Sequence, residues 1–198
     1  NPLISPITMA LMQDSGWYLA NFSQASNQFT WGKDQGCLFI SDPCLPNNVG
    51  KGFCNVRKQY GCTHDRIAES MCSIVSNDID LDPEYQYFSS TTVGGSDNLA
   101  DYCPYQVAVT SGDCRYGISN IASGYDFGTE HCIGGHCKCF ESTLVYGTNS
   151  RQMTGNCYRF LCVGPHTLKI KLNGVWYDCP EDGDLRAGGF NGTITCPK

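Results

Sequence analysis

Fourteen cysteines in 198 residues constrain this chain more than any other feature. That density is far above an ordinary cytosolic protein and suits an oxidising compartment, where disulfides form and persist. Two N-x-[ST] sequons, at Asn21 and Asn191, agree with passage through a secretory pathway and are candidate N-glycosylation sites. The expectation is an extracellular protein, secreted or held at a cell surface.

Charge narrows the partners. The net charge is −6, with only 16% charged residues, which argues against nucleic acid and anionic membranes as ligands because both need basic patches. No apolar run approaches the roughly 20 residues of a membrane span. Asn1-Pro2-Leu3 offers neither a charged n-region nor a long apolar h-region, so a secreted form would begin after processing.

The first 18 residues read as a helix. Ser5 suits the N-cap, Pro6 the first helical position and Gly16 the stop, which predicts a helix over Pro6 to Ser15. Ile7, Ala10, Leu11 and Met12 leave only a narrow polar strip at Thr8, Gln13 and Asp14, so the helix should pack against something. Residues 19–75 are rich in Cys, Gly and Asn, with a second predicted helix over Arg66 to Val75. Residues 76–100 read as loop. From residue 101 the period becomes two: Tyr105, Val107 and Val109 alternate, then Leu168, Ile170 and Leu172 alternate up to Asn173-Gly174, a two-residue hairpin signal before Val175-Trp176-Tyr177. A second hairpin is expected to close on Asn191-Gly192. The class is α+β and disulfide-rich: a short N-terminal helix, an irregular Cys-rich segment and a mainly antiparallel β C-terminal part.

No catalytic set emerges from the residues alone. The four histidines His64, His131, His136 and His166 form no H-E-x-x-H, and no nucleophile elbow or phosphate loop occurs. The run "HCIGGHCKC" (His131 to Cys139) has zinc-ligand residue types without a finger's spacing, and disulfides are the better reading. Asp78, Asp80, Asp82 and Glu84 lack the glycine and terminal glutamate of a calcium loop, so they read as a solvated stretch.

Several stretches in order nonetheless resemble one family: "TMALMQDSGWYLANF", "WGKDQGC", "FCN", "ADYCPY", "SGDC", "NCYRFLC" and "ITCP". Together they are similar to the C-terminal half of the leishmanolysin-type zinc metallopeptidases, a metzincin family of surface proteases. The resemblance implies that residues 1–36 end the catalytic core and residues 37–198 form the Cys-rich C-terminal domain. The family's zinc-binding histidines, catalytic glutamate and methionine turn would all lie upstream of Asn1. No catalytic or metal residue, and no cofactor, is therefore assigned within the chain, and zinc is expected upstream. The helix over 6–15 then looks like the closing helix of the core. Its partner would be an upstream catalytic fragment, another chain, or the C-terminal domain itself, and the parent would act on protein substrates.

The resemblance also implies disulfides Cys44–Cys103, Cys54–Cys72, Cys62–Cys132, Cys114–Cys157 and Cys179–Cys196. Cys37, Cys137, Cys139 and Cys162 stay unassigned. Either they pair among themselves, or Cys37 tethers a missing fragment. The alternative function is a secreted or cell-surface adhesion or structural module that keeps the scaffold without catalysis.

Overall fold

The computed structural model describes residues 4–25, 31–32, 35–50, 52–115, 132, 136–146, 154–164, 167–181 and 183–197. It opens with helix α1 (Pro6–Asp14). The Ser5 hydroxyl accepts from the Thr8 N–H at 3.1 Å, Pro6 begins the helix, and Gly16 follows it with φ of 73°. Its setting is the finding. No residue of α1 is buried, and Ile7 and Leu11 are 81% and 66% exposed. No described part of the chain buries the helix's apolar side.

After the single-turn α2 (Leu38–Ser41) the chain is built from short strands: β1 (Tyr60–Cys62), β2 (Ala68–Cys72), β3 (Ile74–Ser76), β4 (Val93–Gly95), β5 (Gln106–Asp113), β6 (Cys137–Ser142), β7 (Val145–Tyr146), β8 (Thr154–Gly164), β9 (Thr167–Leu172), β10 (Val175–Cys179), β11 (Asp184–Leu185), β12 (Phe190–Asn191) and β13 (Ile194–Thr195). Their pairings are all antiparallel. The larger sheet runs β10-β9-β8-β6-β13-β11, the smaller β1-β2-β5, and β3-β4 and β12-β7 are two-stranded. This is the α+β, disulfide-rich architecture that the sequence implies.

Alternation along β6 and β8 gives the large sheet two different faces. Phe140, Ser142, Asn156 and Tyr158 point to one side, where Leu144, Ile170, Leu172, Leu185 and Ile194 complete an apolar core. The Tyr158 hydroxyl is buried there and donates to Ser142 Oγ at 2.9 Å, so its polar tip is satisfied. Cys139, Cys157 and Gly155 have the opposite parity and face the smaller sheet. Six half-cystines, Cys62, Cys114, Cys132, Cys137, Cys139 and Cys157, fill that interface.

The structure joins Cys44 to Cys103, Cys54 to Cys72, Cys114 to Cys157 and Cys179 to Cys196. It differs at Cys62, which bonds Cys139 rather than Cys132, while Cys132 bonds Cys137. Strand geometry explains the difference. The Cys139 N–H donates to the Arg66 carbonyl at 2.7 Å, which draws β6 against the β1–β2 turn and sets Cys139 beside Cys62. Cys132, five residues before Cys137, closes locally. Cys37 and Cys162 are exposed free thiols.

Two other expectations are corrected. The helix read over Arg66 to Val75 is instead β2 and β3. Ala68, Ser70 and Cys72 share the buried side while Met71 is exposed, and Ser70 Oγ donates to Gln106 Oε1 at 3.0 Å across to β5. Strand pairing on both sides of β2, with the Cys54–Cys72 bridge, overrides the helical spacing. The hairpin on Asn173-Gly174 forms, with φ of 46° and 81° as a type I′ turn requires. Asn191-Gly192 closes no second hairpin. β12 pairs with β7 and β13 with β6 and β11, because fully buried Ile194 must turn into the core.

Candidate functional site

A cavity of about 1120 Å³ opens along β5, between an aromatic wall at one end and two arginine–carboxylate pairs at the other. The aromatic wall is local in origin. Trp31, Phe39 and Phe53 form a triangle with ring centroids 5.5–5.9 Å apart, and Trp31 and Phe53 reach the cavity.

Beside them Tyr105 donates to Asp97 Oδ2 at 3.0 Å, and Asp97 Oδ1 accepts from the Leu99 N–H at 3.0 Å. Partial burial and the bond to the Asp97 carboxylate both raise the Tyr105 hydroxyl above the ordinary tyrosine value.

The far end is set by the β1–β2 turn. Asp65 Oδ1 accepts from Thr63 Oγ1 at 2.7 Å and from the Ile67 N–H at 3.2 Å, and Arg66 sits in the left-handed region with φ of 56°. That turn aims the Arg66 guanidinium at the Cys139 carbonyl (3.4 Å) and at Glu141 (3.7 Å). At the end of β5, Arg115 grips Asp113 with Nε on Oδ1 (3.0 Å) and Nη2 on Oδ2 (2.7 Å). The side-chain bond from Arg115 holds the Asp113 carboxyl below the usual aspartate value, against an opposing effect of burial.

A pH effect follows. The depressed folded value means that this pair's stabilisation is present above the unfolded aspartate value near ~4 and is lost as pH falls through the folded value. Both side chains are about one-third exposed, so the effect is small. Asp113→Asn should cost up to about 1 kcal/mol at neutral pH, and that cost should shrink as pH falls from the ordinary aspartate value through the depressed folded value. Urea melts of the two proteins across that range check it, and a cost independent of pH would contradict it.

Two of the cavity's carboxylates, Glu141 and Asp113, are paired with arginine, while Asp65 and Asp97 accept from neutral donors. Four carboxylates (Asp65, Asp97, Asp113, Glu141) face two guanidinium groups (Arg66, Arg115).

Of the residues singled out from sequence, Cys54, Cys62 and His64 line this cavity, His166 falls outside the described residues, and the others lie elsewhere. His136 is exposed, with its carbonyl accepting from the Phe160 N–H at 3.1 Å, and His131 falls outside the described residues. The other cysteines of that run are in disulfides. Asp78, Asp80, Asp82 and Glu84 are exposed, and among the described residues no three His, Cys, Asp or Glu side chains converge as a metal-binding group.

Asn21 and Asn191 are exposed, and Asn21 Oδ1 accepts from the Ser23 hydroxyl at 2.7 Å. None of the described helices is long and apolar enough to cross a membrane. The cavity residues were not foreseen. The one local signal was Asp113-x-Arg115, two charges that meet because they flank the end of β5.

Comparison with known proteins completes the site's context. The family profile of leishmanolysin matches residues 2–198. The chain is 32% identical to a leishmanolysin-like peptidase of Drosophila melanogaster, covering all of this chain and 35% of that protein. It is 31% identical to leishmanolysin of Leishmania donovani, over 86% of this chain and 30% of the relative. A ciliated left-right organizer metallopeptidase of Xenopus laevis is 27% identical, over 98% of this chain and 23% of its own length. The chain thus spans about a third or less of these relatives.

Proposed function

Because the chain belongs to the leishmanolysin family of metallopeptidases, and spans about a third of its relatives, we propose that it is the C-terminal portion of a zinc metalloendopeptidase acting on proteins at or outside the cell surface. Residues 1–36 end the catalytic core, and residues 37–198 form a disulfide-stapled domain that buttresses the core and helps shape one side of the cleft. Zinc, with the histidines that hold it and the glutamate that serves as base, belongs to the upstream part. This portion supplies no ligand to the metal. The cysteine density and the exposed sequons at Asn21 and Asn191 support an extracellular, glycosylated protein.

The observation that carries the reading is α1, a well-capped helix whose Ile7 and Leu11 are left in solvent by the rest of the described chain. A surface this apolar, continued by Trp17 and Leu19 at 84% and 96% exposure, is expected to be covered. Ile7→Asp with Leu11→Asp should leave the melting of residues 1–198 within about 0.5 kcal/mol of wild type. In the full-length protein the same pair should cost about 2–4 kcal/mol and reduce peptide cleavage. Equal, small effects in both would mean that no core covers the helix.

A further inference from the structure

Strand β5 lies at the edge of the smaller sheet, and its main chain can be assigned side by side. The Tyr105 carbonyl accepts from the Ser73 N–H at 3.0 Å, on the side of β2. The preceding carbonyl, of Pro104, accepts from the Cys54 N–H at 3.0 Å on the opposite side. Successive strand residues turn their N–H and C=O groups to alternate sides, so Gln106 and Ala108, which precede the register shift of the β2–β5 pairing, aim theirs away from β2. Phe53 forms an isolated antiparallel bridge with Tyr105, so residues beside it already take the first step of a fourth strand position. Beyond that step, no described residue pairs with the outward side of Ala108.

Edges of this length are usually guarded by lysine, proline or an inward charge. β5 is eight residues long, carries no charge from Gln106 to Gly112 and contains no proline, and its one guard is the register shift against β2, which lies beyond Ala108. It also borders the cavity, where both arginines are occupied by Glu141 and Asp113. Asp65 and Asp97, held by neutral donors, are the charges that an incoming cation meets.

We propose that the outward edge of β5 receives an extended segment of a protein substrate as an added strand, docking it away from the reacting bond. The N–H and carbonyl of Ala108 supply the main-chain bonds, Trp31 and Phe53 an apolar contact, and Asp97 attracts a lysine or arginine side chain. Only the identity of the partner as a substrate rests on the peptidase reading.

The test is amide hydrogen exchange on the full-length protein, with a metal chelator present so that nothing is cleaved. The probe is a blocked eight-residue peptide of valine, threonine and lysine, with a copy carrying glutamate for lysine. Without peptide, the amide of Ala108 should exchange quickly. With the lysine peptide it should slow at least tenfold, and with the glutamate copy much less. Ala108→Pro removes an outward N–H that no strand uses, so melting should hold while affinity falls at least tenfold. Asp97→Asn should weaken the lysine peptide several-fold and leave the glutamate copy unchanged.

Should Ala108→Pro misfold, a peptide N-methylated at alternate amides tests the same bonds on the wild type and should not bind. An Ala108 amide already protected without peptide would mean that the protein's own chain covers the edge, and the proposal falls. Unchanged binding by Ala108→Pro or by the N-methylated peptide also overturns it. Failure of the peptidase reading would appear separately, as no cleavage of a protein substrate by the chelator-free protein while the peptide still binds.

Discussion

Gly155→Ala is expected to destabilise the protein by about 3 kcal/mol or more, the largest effect of a single-methyl addition among the described glycines. Gly155 lies on β8 where β1 crosses it. A Cβ there would run into the main-chain carbonyl of Gly61 and come within 2.9 Å of Cys139 Sγ. The obstacle is backbone on one side and a disulfide sulfur on the other, so no flexible side chain can swing clear. The two sheets would have to separate, disturbing the interface that buries six half-cystines. Urea unfolding of the oxidised protein measures the cost. A loss below about 0.5 kcal/mol would show that the sheets do not approach as described.

The second large effect separates two disulfide arrangements. With Cys62 bonded to Cys139, the bridge closes a separation of 77 residues, whereas Cys132–Cys137 closes only 5. In the chain-entropy account, Cys62→Ala with Cys139→Ala should cost about 4 kcal/mol, and Cys132→Ala with Cys137→Ala about 2 kcal/mol. The cross-links that remain shorten the effective loop and reduce the first figure somewhat, leaving the order intact. Peptide mapping under non-reducing conditions reads the same question directly. Recovery of a Cys62–Cys132 peptide would contradict the arrangement and restore the pairing implied by family resemblance.

Local signals were legible where they act alone. The Ser5 cap, Pro6 and Gly16 delimit α1 without help from the rest of the chain, and Asn173-Gly174 dictates the β9–β10 hairpin through its two positive φ angles. Legibility failed where distant partners decide. Arg66 to Val75 has a helix-like apolar spacing, yet Ala68, Ser70 and Cys72 become strand because β1 and β5 flank them. Asn191-Gly192 looks like a hairpin turn, but buried Ile194 commits the next residues to β6 and β11. The partner of Cys62 depends on how β6 meets the β1–β2 turn, which no spacing along the chain encodes.

The cavity was invisible for a related reason. Trp31, Asp97, Arg66 and Arg115 come from four separate segments, and only the β5 scaffold brings them together. Family resemblance was readable because it rests on ordered short motifs rather than on contacts, and it extends over residues 2–198.

The most direct test of the account is the zinc content of the full-length native protein, purified without chelator and measured beside residues 1–198. The account expects about one tightly held zinc per full-length polypeptide and none on the shorter chain, as three histidines upstream would require. A full-length protein that purifies without zinc, and binds none on titration, would contradict it. This fold would then belong to a surface module that keeps the scaffold and not the chemistry.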